Sequence, residues 1–107
     1  MFARIMEFTP KYEKKEDFVR TVRNEILPIL KKQNGFLEIL PMFPELKNQK
    51  FVNLTLWTDR NCAERYERET FPKVEQILHP FMAGPITWKL YTVETTLCEH
   101  FVNALAA

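Results

Sequence analysis

The stretch from Phe51 to Met82 most constrains the fold of this chain, because it reads as a strand, a polar turn and a helix in direct succession. It begins with FVNLTLW, whose alternating pattern predicts a strand. Thr58 and Asp59 then offer oxygens that can cap the first N–H groups of a helix. Pro72 lies inside the helical pattern and predicts a kink or a restart, because it lacks an N–H and clashes with the preceding turn.

The predicted helix of this stretch has two different faces. Its inward face carries Cys62, Ala63, Tyr66, Thr70, Phe71, Val74, Ile77 and Leu78. These residues recur at the three- and four-residue spacing of an amphipathic helix. Its outer face carries Arg60, Glu64, Arg65, Glu67, Arg68 and Glu69. Such a run of charges is typical of a solvated surface, with Arg60 and Glu64 spaced to pair.

The rest of the chain completes an α+β pattern. Three further strands are predicted over residues 2–8, 36–43 and 86–94. A first helix is predicted from Glu16 to Leu30, bent in its last turn by Pro28 and ended by Asn34-Gly35. The order βαββαβ is that of a ferredoxin-like fold, a four-stranded antiparallel sheet with both helices on one face. We assign residues 1–95 to this domain and residues 96–107 to a C-terminal tail.

Apolar residues on both faces of the predicted sheet indicate a partner. Met6 lies beside Ile5, and Ile39 lies beside Leu40, so each strand places apolar side chains on the face that the helices leave uncovered. An uncovered apolar face of this kind indicates an interaction site, and we predict a homodimer. The tail over 96–107 has apolar residues at four-residue steps but is too short to be a stable helix alone. It is expected to pack on the partner subunit; the alternative is a frayed tail on its own domain.

Composition excludes several function classes. A net charge of +1 with scattered basic residues predicts no nucleic-acid partner. With two glycines in the whole chain, Gly-rich phosphate loops are absent. Cys62 and Cys98 lack the spacing of a zinc site, and we interpret them as reduced thiols of a cytoplasmic protein. No segment approaches the ~20 apolar residues of a membrane span, so no membrane partner is expected.

Two sets of residues are candidates for chemistry. Glu75 and His79 lie four apart on the second helix, as an acid–base pair, as two metal ligands or as a surface ion pair. No third ligand is identifiable, so no metal site is predicted. The other set combines large aromatic residues with polar residues at strand positions, namely Tyr66, Trp57, Trp88, Arg4 and Asn53. They are either ordinary core and sheet residues or the lining of a small-molecule pocket.

Four segments resemble the antibiotic biosynthesis monooxygenase family. They are FVRTVRNEILPILKKQNGF, the strand ending in Leu56-Trp57, the helix with Tyr66 and Phe71, and the LHPF that follows it. The resemblance implies a dimeric α+β barrel, in which two sheets pack face to face and each subunit has a pocket between its sheet and helices. Family members include cofactor-independent monooxygenases, in which an electron-rich aromatic anion reacts with molecular oxygen.

The resemblance also implies which residues form the site. A haem-degrading branch uses an Asn on the first strand, whereas FARIMEF has none, and Tyr66 and Glu75 occupy its Trp and His positions; we therefore predict no haem and no other cofactor. The catalytic candidates are Tyr66 and His79. The substrate-binding candidates are Trp57, Asn53, Arg4, Trp88 and Phe71. Two hypotheses follow: a cofactor-independent monooxygenase acting on a small phenolic or quinol substrate, or a non-catalytic dimeric barrel that binds a small ligand.

Overall fold

The computed structural model describes residues 1–97 and contains one four-stranded antiparallel sheet. Its strands are β1 (Phe2–Phe8), β2 (Phe36–Met42), β3 (Phe51–Trp57) and β4 (Thr87–Thr92). They are arranged in the order β2-β3-β1-β4, so β1 and β3 are central. The predicted βαββαβ order and ferredoxin-like α+β fold are confirmed. The predictions for residues 98–107 of the tail, including Cys98, lie outside the described residues.

The first helical segment is divided into pieces. A 3₁₀ turn (Tyr12–Lys14) leads into α1 (Lys15–Thr21), a π-helical turn (Val22–Ile26) and α2 (Leu27–Lys31). In the π turn the N–H of Leu27 donates to the carbonyl of Val22, five residues back. Pro28 follows at once and has no N–H to donate, so the helical pitch changes next to the proline at which the sequence predicts a bend. The segment ends at Gly35, whose φ of +80° is the left-handed conformation that glycine adopts without a Cβ penalty.

The second helical segment starts and breaks where its sequence predicts. Asp59 caps α3 (Arg60–Glu69), and its Oδ1 accepts from the N–H of Cys62 at 2.9 Å. Thr70 leaves regular helical geometry with φ of −119°, and α4 (Phe71–Leu78) then restarts with Pro72 in its first turn. A 3₁₀ turn over His79–Phe81 ends the segment. Within residues 1–97, no helix has the length and apolar character needed to span a membrane.

The two faces of the sheet differ in exposure. Alternate residues of the central strands, such as Phe8, Phe51 and Trp57, are buried against the helices and form the core. The buried helical partners are Phe18, Ile26, Leu30, Ala63, Tyr66, Phe71, Val74 and Leu78. On the opposite face Leu40, Met42 and Tyr91 are about half exposed, at 50%, 46% and 51%. The helices therefore cover one face of the sheet, as predicted, and leave the other open.

Candidate functional site

A small cavity lies between the sheet and the helices. Its enclosed volume is about 30 Å³. Most of its lining is apolar or aromatic: Met6, Phe18, Val22, Ile26, Leu30, Ile39, Pro41, Phe51, Phe71, Val74, Leu78 and Trp88. The other lining residues are Arg4, Asn53, Thr55 and Tyr66. A few polar groups converging in an apolar pocket are the usual composition of a small-molecule site.

The sheet register explains how the polar residues converge. Arg4 of β1 is paired with Thr55 of β3, and Thr55 is paired in turn with Ile39 of β2. Residues that are directly paired across antiparallel strands point to the same face, so these side chains form a row toward the helices. Asn53 belongs to the next row on that face, between Met6 of β1 and Pro41 of β2.

Arg4 is a buried cation with little compensation. It is 2% exposed, and its guanidinium carbon lies 4.2 Å from the ring centroid of Trp88 and 5.4 Å from that of Tyr66. The nearest carboxylate oxygen is Oε1 of Glu67, 3.7 Å from Nη2, which is beyond hydrogen-bond distance. Burial lowers the pKa of Arg4 below its ordinary value, an effect opposed by the charge of Glu67.

Three buried polar atoms at the cavity lack partners. Nε and Nη2 of Arg4 and Oδ1 of Asn53 have no hydrogen-bond partner within residues 1–97. Oγ1 of Thr55 accepts a hydrogen bond from Nε1 of Trp57 at 3.0 Å, and its own hydroxyl hydrogen is not donated to Oδ1 of Asn53. A buried polar group without a partner costs roughly 1–3 kcal/mol, and more when it is charged. Such a cluster in a native protein calls for an explanation, such as a bound water, an ion or a functional role.

The side chain of Tyr66 is a neutral phenol in this environment. Burial raises the pKa of Tyr66 well above its ordinary value, and the nearby Arg4 only partly opposes the shift. Its ring is held between Trp57 and Phe71, at centroid distances of 5.0 and 6.2 Å. Tyr66 is therefore suited to donate a hydrogen bond and is a poor general base.

The structure brings together five of the seven predicted site residues. Those lining the cavity are Arg4, Asn53, Tyr66, Phe71 and Trp88. Trp57 is fully buried behind the cavity wall, where it packs on Tyr66 and bonds Thr55. Trp57 does not line the cavity. His79 is exposed and lines a second, open groove with Glu75; of the other predicted site residues, only Trp88 also lines that groove.

Sequence reasoning missed two contributions to the site. Ile39 and Pro41 line the cavity from β2, and Val22 lines it from the π turn, a break in pitch that periodicity does not reveal. Glu67 was assigned to the solvated face of the helix, whereas its carboxylate reaches toward buried Arg4 while its side chain stays 46% exposed. The predicted pair of Arg60 and Glu64 does form, at 2.8 Å.

An open groove adjoins the cavity at the edge of the sheet. It has a volume of about 280 Å³ and is lined by Val19, Val22, Arg23, Leu27, Ile39, Pro41 and Phe43. Val22, Ile39 and Pro41 line both spaces. These three side chains, which we call the partition, separate the cavity from the groove.

Metal-ligand residues do not cluster in this part of the chain. Among residues 1–97, no three His, Cys, Asp or Glu side chains are placed to hold one ion. Cys62, which is half-buried, is a free thiol. The polar groups of the cavity are a guanidinium, an amide and two hydroxyls, which suit an organic oxygen-bearing ligand.

The fold and cavity define a small α+β protein with a polar-centred pocket between its sheet and helices. Its family follows from comparison of sequences: the model of the antibiotic biosynthesis monooxygenase family matches residues 1–70. The chain belongs to this family, and the resemblance predicted from its segments is confirmed. Comparison with curated protein sequences gave no significant match.

Solved structures share the fold at low sequence identity. The cofactor-independent oxygenase SnoaB from Streptomyces nogalater superposes with a TM-score of 0.67 at 22% identity, covering 92% of this chain and 97% of its own. A candidate antibiotic biosynthesis monooxygenase from Caulobacter crescentus CB15 gives a TM-score of 0.71 at 14% identity, covering 87% and 90%. Rv0793 from Mycobacterium tuberculosis gives 0.65 at 11% identity, covering 86% and 93%. Each is similar in fold to this chain.

Proposed function

We propose that this protein is a cofactor-independent monooxygenase that acts on a small phenolic or quinol substrate. The observation that carries the proposal is that buried Arg4, whose Nε and Nη2 make no hydrogen bond, and the unpartnered Oδ1 of Asn53 belong to residues lining the same aromatic cavity. Family membership and the fold shared with the oxygenase SnoaB support the reaction class. The cytoplasmic location stays a prediction from the sequence.

Arg4 would activate such a substrate by favouring its anion. An arginine cation within a few Å of an acidic oxygen lowers that oxygen's pKa by about 1–3 units. The resulting electron-rich ring reacts with oxygen: for a quinol, one oxygen atom forms a new ring C–O bond and the other leaves as water. The product is a hydroxyquinone. The quinol supplies all the electrons that reduce oxygen, so no separate reductant is needed.

Asn53 and Tyr66 would orient the substrate beside Arg4. The amide oxygen of Asn53 can accept a hydrogen bond from a substrate hydroxyl. The hydroxyl of Tyr66 can donate to a substrate oxygen, because its raised pKa keeps it protonated. Trp88 and Phe71 supply flat apolar surface around the ring and keep water from the reacting anion.

We also propose that the protein works as a homodimer through the open face of its sheet. The half-exposed Leu40, Met42 and Tyr91 support this, since exposed apolar sheet faces are typical of interfaces. Leu40→Lys should give a folded monomer by analytical ultracentrifugation. Leu46→Lys, which changes an exposed leucine outside the strands, is its control and should stay dimeric. A wild-type protein that sediments as a monomer at micromolar concentration would contradict the dimer.

The cavity volume favours a second candidate function. A cavity that accepts benzene measures about 150 Å³, whereas the enclosed volume here is about 30 Å³. A ring therefore enters only if the cavity enlarges, for example by movement of the partition so that the cavity joins the adjacent groove. If the partition stays closed, the protein is a non-catalytic barrel that binds a ligand in the outer groove.

Oxygen uptake separates the two candidates. Chelator-treated protein is mixed with a panel of catechols and hydroquinones under ¹⁸O₂, and uptake is compared with protein-free autoxidation. The monooxygenase predicts accelerated uptake and one ¹⁸O atom per product. Arg4→Met should lower kcat/KM by roughly 100-fold, the usual effect of removing one donor or charge from a reacting oxyanion. Asn53→Ala removes an acceptor that orients the substrate and should lower kcat/KM by about tenfold.

The control for these variants is Arg60→Met, which removes an arginine from the exposed face of α3 and should retain full activity. Tyr66→Phe should lower the rate, and an unchanged rate would remove Tyr66 from the mechanism. His79→Gln tests the sequence-based assignment of His79 in the same way. Ligand binding without oxygen uptake above autoxidation, across the panel, would contradict the monooxygenase and support the binding barrel.

A further inference from the structure

The unpartnered atoms of Arg4 form one particular edge of its guanidinium. Nε and Nη2 carry N–H groups that point in parallel from the same side of the planar group. Both atoms are buried, and neither has a hydrogen-bond partner in residues 1–97. Glu67 makes no hydrogen bond to this edge, since its Oε1 lies 3.7 Å from Nη2.

A parallel pair of donors is satisfied by a parallel pair of acceptors. The Nε/Nη2 edge matches two oxygens about as far apart as those of a carboxylate, and such bidentate bonds are stronger and more directional than single ones. A lone phenolic oxygen, or either oxygen of a para-quinol, would satisfy only one of the two donors. The other would remain buried without a partner, which disfavours that ligand.

The surroundings of the edge limit the rest of the ligand. The guanidinium carbon lies over the ring of Trp88 at 4.2 Å, so this ring blocks one approach to the cation, and the unpartnered Nε/Nη2 edge offers another. Oδ1 of Asn53, in the neighbouring row of the same sheet face, needs a hydrogen-bond donor. A ring whose two adjacent oxygens share one negative charge and one proton meets both requirements.

We propose that the substrate is an ortho-dioxygenated aromatic, a catechol-type monoanion whose two neighbouring oxygens bind the Nε/Nη2 edge of Arg4. The oxidation of this ligand rests on the proposed function, whereas its binding to Arg4 does not. It assigns the donor pair of Arg4 as the determinant that selects ortho over meta and para isomers. The remaining hydroxyl proton faces Asn53.

Three isomers of one formula test the proposal. Catechol, resorcinol and hydroquinone differ only in the separation of their two oxygens, and their dissociation constants are measured under nitrogen by isothermal titration calorimetry. Catechol should bind at least about tenfold tighter than the other two, a difference that one additional hydrogen bond to a charged donor supplies. Equal affinities for the three isomers would overturn the proposal.

Variants of Arg4 test the role of its Nε/Nη2 donor pair. Arg4→Lys keeps the charge but has no parallel donor pair, so the ortho preference should fall toward onefold. Arg4→Met should abolish the preference and weaken catechol binding. Arg60→Met is the matched surface control and should keep the wild-type preference. An ortho preference that survives in Arg4→Lys and Arg4→Met would overturn the assignment, and Arg4→Lys answers the question alone if Arg4→Met does not fold.

Benzoate separates this inference from the proposed function. It presents two adjacent oxygens but cannot reduce oxygen, so its binding carries no information about turnover. We expect benzoate to bind at least about tenfold tighter than benzamide, with the difference reduced in Arg4→Lys, which keeps the charge without the donor pair, and lost in Arg4→Met. If this holds and catechol is never oxidised, the monooxygenase proposal fails while the two-oxygen site stands. Benzamide binding as tightly as benzoate would overturn the two-oxygen site.

Discussion

The guanidinium of Arg4 lies over the indole of Trp88 in the interior of the protein, 4.2 Å from guanidinium carbon to ring centroid. The two residues lie on the neighbouring strands β1 and β4, one row apart on the same sheet face. A desolvated arginine–tryptophan contact contributes about 2 kcal/mol or more. It offsets part of the desolvation of Arg4 but supplies no hydrogen bond to its edge donors. Arg4 is therefore only partly stabilised in the folded protein, because its Nε and Nη2 donors have no hydrogen-bond partners within residues 1–97.

We expect Arg4→Met to be at least as stable as the wild type. Methionine has similar length, fills the same space and needs no hydrogen bonds, and replacing a buried charge by an apolar side chain is often neutral or stabilising by about 1–4 kcal/mol. Urea unfolding followed by circular dichroism measures the difference. A loss of more than about 2 kcal/mol would mean that Arg4 stabilises the ligand-free fold, which contradicts its assignment to function.

Gly35 and Gly84 form a matched pair for backbone conformation. A Cβ at Gly35 would lie 2.6 Å from Sγ of Cys62 and Oγ1 of Thr58, and the residue has φ of +80°. Gly35→Ala should therefore destabilise the protein by about 2–4 kcal/mol, from the left-handed backbone and the overlap together. Gly84→Ala meets nothing closer than 4.0 Å and should change stability by less than about 1 kcal/mol. Equal losses of stability in the two variants would contradict the close packing at Gly35.

The cap at Asp59 makes stability depend on pH. The N–H of Cys62 donates to its carboxylate and lowers the pKa of Asp59 below its ordinary value of 3.8. A lowered folded-state pKa gives stability that is present above the unfolded value and is lost as pH falls through the folded value. Asp59→Ala should lower the Tm at pH 7 by roughly 4–8 °C, as expected for one lost cap in a domain of this size.

Asp59→Asn is the control, because asparagine caps a helix without titrating in this range. Wild type should lose stability relative to Asp59→Asn as pH falls below about 4, near the ordinary pKa of aspartate. Parallel Tm curves for the two proteins down to pH 2 would contradict the cap's contribution.

Much of the fold was predictable because strand alternation, helix caps and helix breakers all indicated the same elements. The alternation of FVNLTLW, the cap at Asp59, the break at Pro72 and the stop at Gly35 each follow from backbone chemistry within a few residues. The predicted ends of β2 and β4 were wrong by one and by up to two residues, since strand ends depend on which neighbour supplies hydrogen bonds.

The site was predictable only in part, because its geometry comes from the register between strands. Arg4 and Asn53 were identifiable as polar residues at strand positions, but only the pairing of β1, β3 and β2 places them in adjacent rows on one face. Trp57 and Tyr66 carry equally strong aromatic signals, yet only Tyr66 lines the cavity. Nothing local distinguishes Val22 of the π turn from other residues on its helical stripe.

The partition gives a prediction about ligand entry. Val22 separates the cavity of about 30 Å³ from the groove of about 280 Å³. Val22→Ala should open the partition and raise the association rate of phenol severalfold, at a stability loss of about 1–3 kcal/mol for the truncated side chain. Val22→Phe should fill the passage and slow association by a similar factor. Stopped-flow mixing under nitrogen measures both rates, and unchanged rates in both variants would exclude this route.

The most direct test of the account is the ionisation of a phenol inside the cavity. Phenol labelled with ¹³C at its hydroxyl-bearing carbon is titrated by NMR, free and in the presence of excess protein, since that carbon's chemical shift reports the loss of the proton. Our account predicts that the pKa of bound phenol lies at least about one unit below that of free phenol, because Arg4 outweighs the effect of burial. The shift should disappear or reverse in Arg4→Met and persist in Arg60→Met. A bound-state pKa equal to or above the free value in the wild-type protein would contradict the claim that Arg4 prepares the substrate anion for oxygen.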